Sequence, residues 1–415
     1  MAQVYTANPS SLWQSDKYAK CVHETIESVS SELRELSLKI HDHPEVGLHE
    51  FKSHAWLTKY LTDKGFAVEQ GKSGLETAFV AHAGNSSGVT IGLVSEYDAL
   101  PGIGHGCGHN LIAISGVATA LALKAAIENF NLPAQIKLFG TPSEERDSGK
   151  ITMLNAGDFE GVDVCMMLHG ANSDAIYAPF LALNSVQVEF FGKASHASTT
   201  PWEGINALDA AMEVYTNIGL LRQQIRTDHR VHGIIMNGGQ AANIIPEYTK
   251  SLYMVRAPKF VQVVEMKAKF EKIVESAANS TGCTYKLKWE NFVKDILTNE
   301  HLANKFEKLM NSLGLEYAPK EVQRAKPTGS TDMGNLTYAI PGIHPMFNIM
   351  NLDGVDDTGI TLHTKEFAAA AALPRGHTAT LRASKALAMT AVECILNPTF
   401  LRHVKDEFAK QQASQ

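Results

Sequence analysis

The sequence has few features of a secreted or nucleic-acid-binding protein. Its 415 residues include five cysteines, scattered along the chain and odd in number, a pattern that does not suggest a disulfide framework and favours a reducing compartment. The sequence contains 37 Lys and Arg residues and 44 Asp and Glu residues, which gives a formal net charge of -7. We therefore expect no basic surface that binds nucleic acid or an anionic membrane. We therefore predict a cytoplasmic protein that acts on small polar molecules.

Long apolar runs and low-complexity segments are also scarce. The longest apolar segment, Leu111 to Leu123, is shorter than the roughly 20 residues that a membrane span needs, and it contains Ser115, Gly116 and Thr119. The first 20 residues contain no apolar stretch typical of a signal peptide. We expect a buried core helix at 111–123 and no membrane partner.

The length of the chain favours two domains, because one hydrophobic core rarely grows to this size. Strand, loop and helix patterns alternate over 1–183 and again over 297–415, which predicts an α/β domain with a largely parallel sheet. Between them, 184–296 follows a β-α-β-β-α-β order, which predicts an inserted ferredoxin-like domain with a four-stranded antiparallel sheet.

Three predicted elements are specific enough to test individually. Helical spacing of apolar residues predicts one opening helix from about Asp16 to Ile40. The apolar run from Val162 to Gly170 predicts a single strand with His169 at its carboxyl end. Asn110, just before the apolar run, predicts the N-cap of the core helix.

The stretch from Glu96 to Asn110 follows the predicted strand Val89–Val94 and precedes the core helix, so it forms a strand-to-helix loop. Ligand sites collect in such loops, and its glycines allow Cys107 and His109 to face one point. A thiolate beside an imidazole suits a transition metal such as zinc. An inert buried thiol or a cysteine nucleophile is the alternative for Cys107.

Two further predicted strands also end in residues that bind metals. Glu144 and Glu145 lie in a loop after the strand Gln135–Gly140, and His169 ends the next strand. Alone, a Glu-Glu pair is more often a solvated surface feature and a strand-end histidine more often a core residue. Their position beside the Cys107 loop favours a metal site in which one carboxylate binds metal and its neighbour accepts a proton from water.

These motifs resemble a known family. Their order resembles that of the motifs in the co-catalytic zinc metallopeptidase family of aminoacylase, carboxypeptidase G and hippurate hydrolase. The matching segments are Glu96 to Pro101, Gly106 to Asn110, Gly140 to Glu145, and Met167 to His169. The chain resembles the amidohydrolase branch of that family, and within it the β-alanyl-lysine type dipeptidases. The resemblance implies a zinc-peptidase-like mixed sheet flanked by helices, with the inserted domain serving as lid and dimerisation domain.

The resemblance also implies the components of a hydrolytic site. Two divalent ions would share five ligands and leave room for a bridging water. Zinc is the expected metal, and manganese and cobalt are the alternatives. Glu144 would be the general base, and Asp98 would orient a ligand imidazole. The implied ligands are Cys107, His109, Glu145, His169 and His363.

In the inserted domain, the resemblance implies that His196 reaches the site of a neighbouring subunit in a homodimer and steadies the oxyanion. Asn243 and Arg256 would hold the terminal carboxylate of the substrate, for which the planar guanidinium is suited. The expected substrate is a dipeptide or N-acyl amino acid with a free carboxylate and, by family likeness, a basic C-terminal residue.

One motif departs from the bacterial amidohydrolases of this branch. Asn110 stands where many of them have aspartate, and Ser95 to Asp98 stands where they have an Arg-x-Asp run, which favours the dipeptidase group. Three alternatives remain open: an amidohydrolase for N-acyl aromatic amino acids or p-aminobenzoyl-glutamate, a metal-free binding relative, and a cysteine hydrolase that chelators do not affect.

Overall fold

The computed structural model describes Trp13 and residues 15–85, 87–325, 328–350 and 359–414, and the chain folds into two compact units. The first contains the described parts of 1–179, 296–327 and 335–415, and the second contains 180–295 and 328–334. The predicted assignment of all of 297–415 to the first unit is wrong for 328–334. A backbone hydrogen bond of 2.9 Å from Leu181 to Gly329 ties that segment to the second unit.

The first unit contains most of the helices and two sheets. Its helices are α1 (Lys17–Ser28), α2 (Ser30–Asp42), α3 (Phe51–Asp63), α4 (His109–Phe130), α5 (Gly149–Asn155), α8 (Glu300–Ser312), α9 (Lys320–Arg324), α11 (Lys365–Ala371), α12 (Pro374–Leu396) and α13 (Pro398–Ala413), while α10 (Met333–Thr337) crosses the boundary at residue 334. Its strands are β1 (Ala67–Gln70), β2 (Phe79–Gly84), β3 (Val89–Glu96), β4 (Ala134–Thr141), β5 (Val164–Met166), β6 (His169–Ala171), β11 (Gly342–Ile343) and β12 (Met346–Asn348).

The six-stranded sheet of the first unit has the order β1-β2-β4-β3-β5-β11. The pairs β3-β4, β3-β5 and β5-β11 are parallel, whereas β1-β2 and β2-β4 are antiparallel. Strands β6 and β12 form a separate parallel pair. The sheet is therefore mixed, and it places the carboxyl ends of β4, β3 and β5 side by side.

Helix α4 is the central helix of this unit and packs against β3 and α12. It is the one helix of the described chain that is long and apolar enough to cross a membrane, and 89% of that stretch is buried inside the protein. With 22 residues it is longer than the predicted run 111–123. Its apolar residues face core on all sides, as in the interior helix of a large domain.

The predicted opening helix is wrong in one respect, since it is two helices. Asp16 caps α1 by accepting hydrogen bonds from the backbone amides of Tyr18 and Ala19, and α1 ends at Val29, whose φ of -104° and ψ of 4° lie outside the helical range. The apolar periodicity continues across this break, which is why the pattern alone does not reveal it.

The predicted strand from Val162 to Gly170 is likewise interrupted. Strand β5 ends at Met166, and β6 begins at His169, where it pairs with Met346 of β12 instead of continuing the six-stranded sheet. A buried apolar run carries no periodicity that marks such a change of partner strand. His169 thus starts a short strand just beyond the carboxyl end of β5.

The second unit contains β7 (Ala182–Phe191), α6 (Ala207–Leu221), β8 (Arg230–Asn237), β9 (Tyr248–Ala257), α7 (Phe260–Thr281) and β10 (Thr284–Trp289). Its four strands pair antiparallel in the order β10-β7-β9-β8, with a core formed by the sheet and both helices. This is the strand order of a ferredoxin-like domain. Strands β10 and β8 form its edges.

Candidate metal centre

Three ligand-bearing segments follow the carboxyl ends of the adjacent strands β4, β3 and β5. The Glu96–Asn110 segment turns into α4 through Gly108, whose φ of 75° is costly for other residues. Gly108 is therefore the N-cap, and the predicted cap Asn110 is wrong. The Asn110 amide lies inside the helix and donates to Ser37 Oγ and to the Ala371 carbonyl, each at 3.0 Å.

Cys107, His109 and His169 form a fully buried group whose ligand atoms all lie within 4.8 Å of one another. The Cys107 Sγ lies 3.6 Å from His169 Nε2. His169 Nδ1 bonds to the Gly170 carbonyl at 2.7 Å, and an N–H there leaves Nε2 as a lone-pair donor. His109 Nδ1 bonds to Asp98 Oδ1 at 3.0 Å, which leaves its Nε2 to face the group in the same way.

Glu145 connects this group to a second one that contains Cys107 and His363. Glu145 Oε1 lies 3.4 Å from His363 Nε2 and 3.9 Å from His109 Nε2. Asp98 contacts both groups. Its Oδ1 bonds to His109, and its Oδ2 accepts a 3.1 Å hydrogen bond from the Glu145 amide. Glu144 also places a carboxylate oxygen within 4.8 Å of His109 and Glu145.

His363 is held in a strained backbone conformation. Its φ is 65°, a left-handed value that is uncommon for a residue other than glycine, and its amide donates a 2.8 Å hydrogen bond to the Gly106 carbonyl. That bond joins the late segment to the Cys107 loop, more than 250 residues earlier in the chain. Fold geometry thus brings together the five ligands that the resemblance implied.

The group has the properties of a metal site. His109 Nε2 and Glu145 Oε1 are buried and have no hydrogen-bond partner among the described residues, a costly arrangement without a cation between them. The distances of 3.4 Å and 3.6 Å between ligand atoms fall within the spacing of neighbouring ligands around one tetrahedral ion, about 3.3 to 3.7 Å for bonds of 2.0 to 2.3 Å, and the distance of 3.9 Å is close to it. These residues therefore fit divalent metal ions.

Burial shifts the pKa of two of the proposed ligands, His169 and Cys107. It lowers the pKa of His169 to about 4, so this imidazole is neutral at physiological pH, as a ligand must be. Burial also raises the pKa of the Cys107 thiol, which consequently needs a bound cation to become a thiolate. At Asp98 burial opposes ionisation, but the charge and hydrogen bond of His109 outweigh it and lower the pKa of the carboxyl.

The other histidines near this loop bond to backbone carbonyls. His105 is buried and its Nε2 lies 3.1 Å from the Ile40 carbonyl. His41 and His43 contact the carbonyls of Ala368 and Lys39, each at 2.9 Å. These contacts give the three histidines structural roles.

Two buried residues near the site have no motif that reveals them in the sequence. Lys150, in α5, is fully buried and forms an ion pair with Glu96 at the end of β3. Glu50 is fully buried and accepts hydrogen bonds of 2.8 Å from Thr77 Oγ1 and from the amide of Ser143, one residue before Glu144. Nothing in the sequence distinguishes these two from the other charged side chains of the chain.

The second unit contains the three remaining predicted site residues, at two separate places. His196 and Asn243 lie on adjacent segments, joined by a 3.0 Å hydrogen bond from the Ala197 amide to the Asn243 carbonyl. Both are exposed. The amides of Ser198 and Thr199 donate to His196 Nδ1 at 3.3 Å, so the proton of the neutral ring lies on Nε2.

Arg256 lies at the other end of β9 from these two residues. Its guanidinium donates to Ser330 Oγ at 3.2 Å. Asn243 precedes Tyr248, the first residue of β9, and at about 3.4 Å per residue the strand from Tyr248 to Arg256 extends about 27 Å. Within one chain, Asn243 and Arg256 are therefore too far apart to hold the same carboxylate.

A mixed sheet that presents a buried Cys, His and Glu cluster at adjacent strand ends defines a dinuclear metallohydrolase. Residues 182–281 match the family model for a peptidase dimerisation domain. The chain is 40% identical over 93% of its length to a mouse protein named Xaa-Arg dipeptidase, of which it covers 90%. It is 31% identical over 76% of its length to one of the subunits of the p-aminobenzoyl-glutamate hydrolase of Escherichia coli, of which it covers 69%.

Solved structures share the fold. A putative aminohydrolase from methicillin-resistant Staphylococcus aureus superposes with a TM-score of 0.73 at 16% identity, over 91% of this chain and 99% of the other. YXEP of Bacillus subtilis, described as a dinuclear metal-binding peptidase from the M20 family, gives a TM-score of 0.61 at 19% identity, over 86% and 98%. The chain belongs to the M20 family of metallopeptidases and amidohydrolases. The predicted family, fold class and amide-hydrolysing enzyme class are confirmed.

Proposed function

We propose that this protein is a zinc-dependent, homodimeric, cytoplasmic dipeptidase that releases a basic amino acid from the C-terminus of a dipeptide. The observation that carries the proposal is the 40% identity to the Xaa-Arg dipeptidase of the mouse, which extends over nearly the whole of both chains. The β-alanyl-lysine preference expected from the motifs belongs to the same substrate class. Hydrolysis of a p-aminobenzoyl-glutamate type conjugate is the second candidate, favoured by the 31% identity to the Escherichia coli hydrolase.

The five ligands Cys107, His109, Glu145, His169 and His363 would hold the two ions. Zinc suits them because thiolate and imidazole predominate, with Cys107 belonging to both ligand groups. When bound, such ions lower the pKa of a water molecule and polarise the scissile carbonyl.

Glu144 is the proton carrier of the proposed reaction. One of its carboxylate oxygens accepts a proton from the attacking water and then returns it to the leaving amine nitrogen. Its neighbour Glu145 is held by Asp98 through the backbone amide, so the two carboxylates have separate tasks. Asp98 also keeps Nε2 of His109 directed at the ligand group.

His196, Asn243 and Arg256 act on the substrate. His196 carries its proton on Nε2 and donates it as a hydrogen bond to the oxyanion of the tetrahedral intermediate. Asn243 and Arg256 hold the terminal carboxylate. Because Asn243 and Arg256 lie at opposite ends of β9, the pair that holds one carboxylate comes from two different subunits, and His196 serves the site of the neighbouring subunit.

Exposed apolar side chains on the second unit support the dimer. Strand β8 is an edge strand, and Ile234, Ile235 and Met236 are exposed on it. Helix α6 adds Tyr215 and Leu220, the latter 68% exposed. An apolar edge strand of this kind pairs readily with a second copy of itself.

The cytoplasmic location is proposed from the cysteines. All five are free thiols, and Cys107 must stay reduced to bind a metal ion. Fractionation of cells that express the tagged protein measures its location. Recovery in an oxidising compartment, such as the secretory lumen, would contradict the proposal.

The test of the activity is amine release from a substrate panel by the purified protein, with and without chelation and with zinc or manganese added back. The panel contains β-alanyl-lysine, dipeptides ending in arginine, hippurate and p-aminobenzoyl-glutamate. We expect chelator-sensitive cleavage with preference for the basic dipeptides. Preference for p-aminobenzoyl-glutamate would establish the second candidate, and chelator-insensitive cleavage that thiol alkylation abolishes would establish a cysteine hydrolase.

A further inference from the structure

A buried ion pair lies beside the proposed metal centre and has no part in the proposed reaction. Glu96 ends β3, and Lys150 is the second residue of α5, just beyond the Glu144–Glu145 loop. Both side chains are completely buried, and the Lys150 ammonium contacts Glu96 Oε1. Fully buried lysines are rare, because removing an ammonium from water is costly. Because burying both charges so completely is costly, we expect the pair to have a function besides stabilising the fold.

The second oxygen of Glu96 is directed at the ligand group. Glu96 Oε2 is buried, has no hydrogen-bond partner among the described residues, and lies 3.5 Å from His109 Nε2. That distance is nearly the 3.4 Å that separates Glu145 from His363. It is also close to the spacing of two ligands on one tetrahedral ion, about 3.3 to 3.4 Å for bonds of about 2.0 to 2.1 Å.

We propose that Glu96 Oε2 is a sixth protein ligand, on the same ion as His109, and that Lys150 is the counter-charge that holds Oε1. The inference rests on the proposed function, in that it requires the site to bind metal. Glu96 lies between the Lys150 ammonium and His109 Nε2, so a cation bound at His109 would attract the carboxylate from the side opposite Lys150. Lys150 is then a positioning residue, and its pair with Glu96 also links α5 to the end of β3.

The test compares metal binding of the full-length wild type with that of the double variant Glu96→Gln/Lys150→Met. The double change removes both charges and so leaves neither of them buried alone. We expect chelator competition to give an affinity about tenfold to hundredfold lower for one of the two ions, and the absorption spectrum of the Co²⁺ protein to change. Wild-type affinities and an unchanged Co²⁺ spectrum in the double variant would overturn the inference.

A second variant covers the case in which the double variant does not fold. Glu96→Asp keeps a negative charge for Lys150 but withdraws the carboxylate by one methylene group. Weaker binding of one ion supports the ligand role, and unchanged binding of both ions contradicts it.

The matched control is Lys305→Met/Glu393→Gln. It removes an ion pair of 2.7 Å between α8 and α12, two helices that contain no proposed ligand. The control should bind both ions as the wild type does, and an equal loss of affinity there would overturn the inference. A wild type that binds no metal at all would instead overturn the proposed function, and the sixth ligand with it.

Discussion

At the scale of single residues, the adjacent carboxylates Glu144 and Glu145 have different surroundings. Glu145 Oε1 faces two imidazoles, and the interactions with His363 and His109 outweigh the effect of burial and lower the pKa of this carboxyl. Glu144 shares one group of potential ligands with His109 and Glu145, whereas Glu145 also shares a group with Cys107 and His363. The two residues should therefore respond differently to the same substitution.

We expect Glu144→Gln to retain both metal ions and to lose at least about 1,000-fold in kcat, because the proton carrier is lost while the ligands remain. Glu145→Gln, the matched control, should lose metal. Metal content by atomic emission, measured beside kcat, separates the two effects. A Glu144→Gln enzyme with near wild-type kcat would remove Glu144 from the role of base.

Glu50 leads to a prediction about pH. Burial and the negative charge of Asp98 raise the pKa of Glu50 to about 7 from 4.5. The folded state thus binds this proton more tightly than the unfolded state, so its contribution to stability decreases as pH rises from about 4.5 to 7 and then levels off. We expect Glu50→Gln to remove a decrease of up to about 3 kcal/mol over that range.

Urea unfolding of the metal-free protein at pH 5 and pH 8 measures this difference. The exposed Glu76, changed to Gln, is the control and should leave the wild-type pH dependence intact. If Glu50→Gln showed the same decrease as the wild type between those pH values, the buried carboxyl would not be its source.

At the scale of secondary-structure elements, the contact between α4 and β3 positions the site, because β3 ends at Glu96 and α4 begins at His109. The contact is close at Gly116. A Cβ atom there would lie 2.3 Å from Ser95 Oγ and 2.9 Å from the Val94 carbonyl oxygen. Only a glycine permits this approach without movement of helix or strand.

We expect Gly116→Ala to lower the free energy of unfolding by about 1 to 3 kcal/mol, since the methyl group forces α4 away from β3. Thermal or urea unfolding measures the loss. Gly219→Ala is the control, because Gly219 lies in helix α6 with open space around its Cα, and alanine there should be neutral or stabilising. Equal stability of the two variants would contradict the close contact.

Much of this arrangement was predictable from the sequence at the level of elements. The Cys107 loop between an apolar strand and an apolar helix, and the β-α-β-β-α-β order of the second unit, both follow from periodicity and turn residues. The break at Val29 and the change of partner strand at His169 were not predictable, because apolar spacing continues through both. Lys150 was not predictable either, since its burial depends on Glu96, more than 50 residues away.

At the scale of the whole molecule, the positions of Asn243 and Arg256 at opposite ends of β9 are the basis for our proposal that two subunits share each active site. Zinc as the metal, the dimer and the roles of His196, Asn243 and Arg256 stay predictions. If His196 of each chain serves its neighbour, then a dimer of one chain that lacks His196 and one chain that lacks Glu144 contains one complete active site.

We expect His196→Ala and Glu144→Gln homodimers to be inactive, and a co-refolded equal mixture to recover about a quarter of wild-type activity. Random assembly makes half of the dimers mixed, and each mixed dimer has one complete site of two. The mixed dimers can be isolated with two affinity tags and assayed alone. No recovery in isolated mixed dimers would mean that His196 serves its own chain.

The burial of Lys150 has a consequence for following the protein in solution. An ammonium group buried completely beside Glu96 cannot react with an amine-reactive reagent unless the protein around it opens. Exposed lysines such as Lys39 and Lys59 react at all times. The rate at which acetic anhydride modifies Lys150, measured by mass spectrometry, therefore reports how often the protein around Lys150 opens, and it can be compared with and without added zinc.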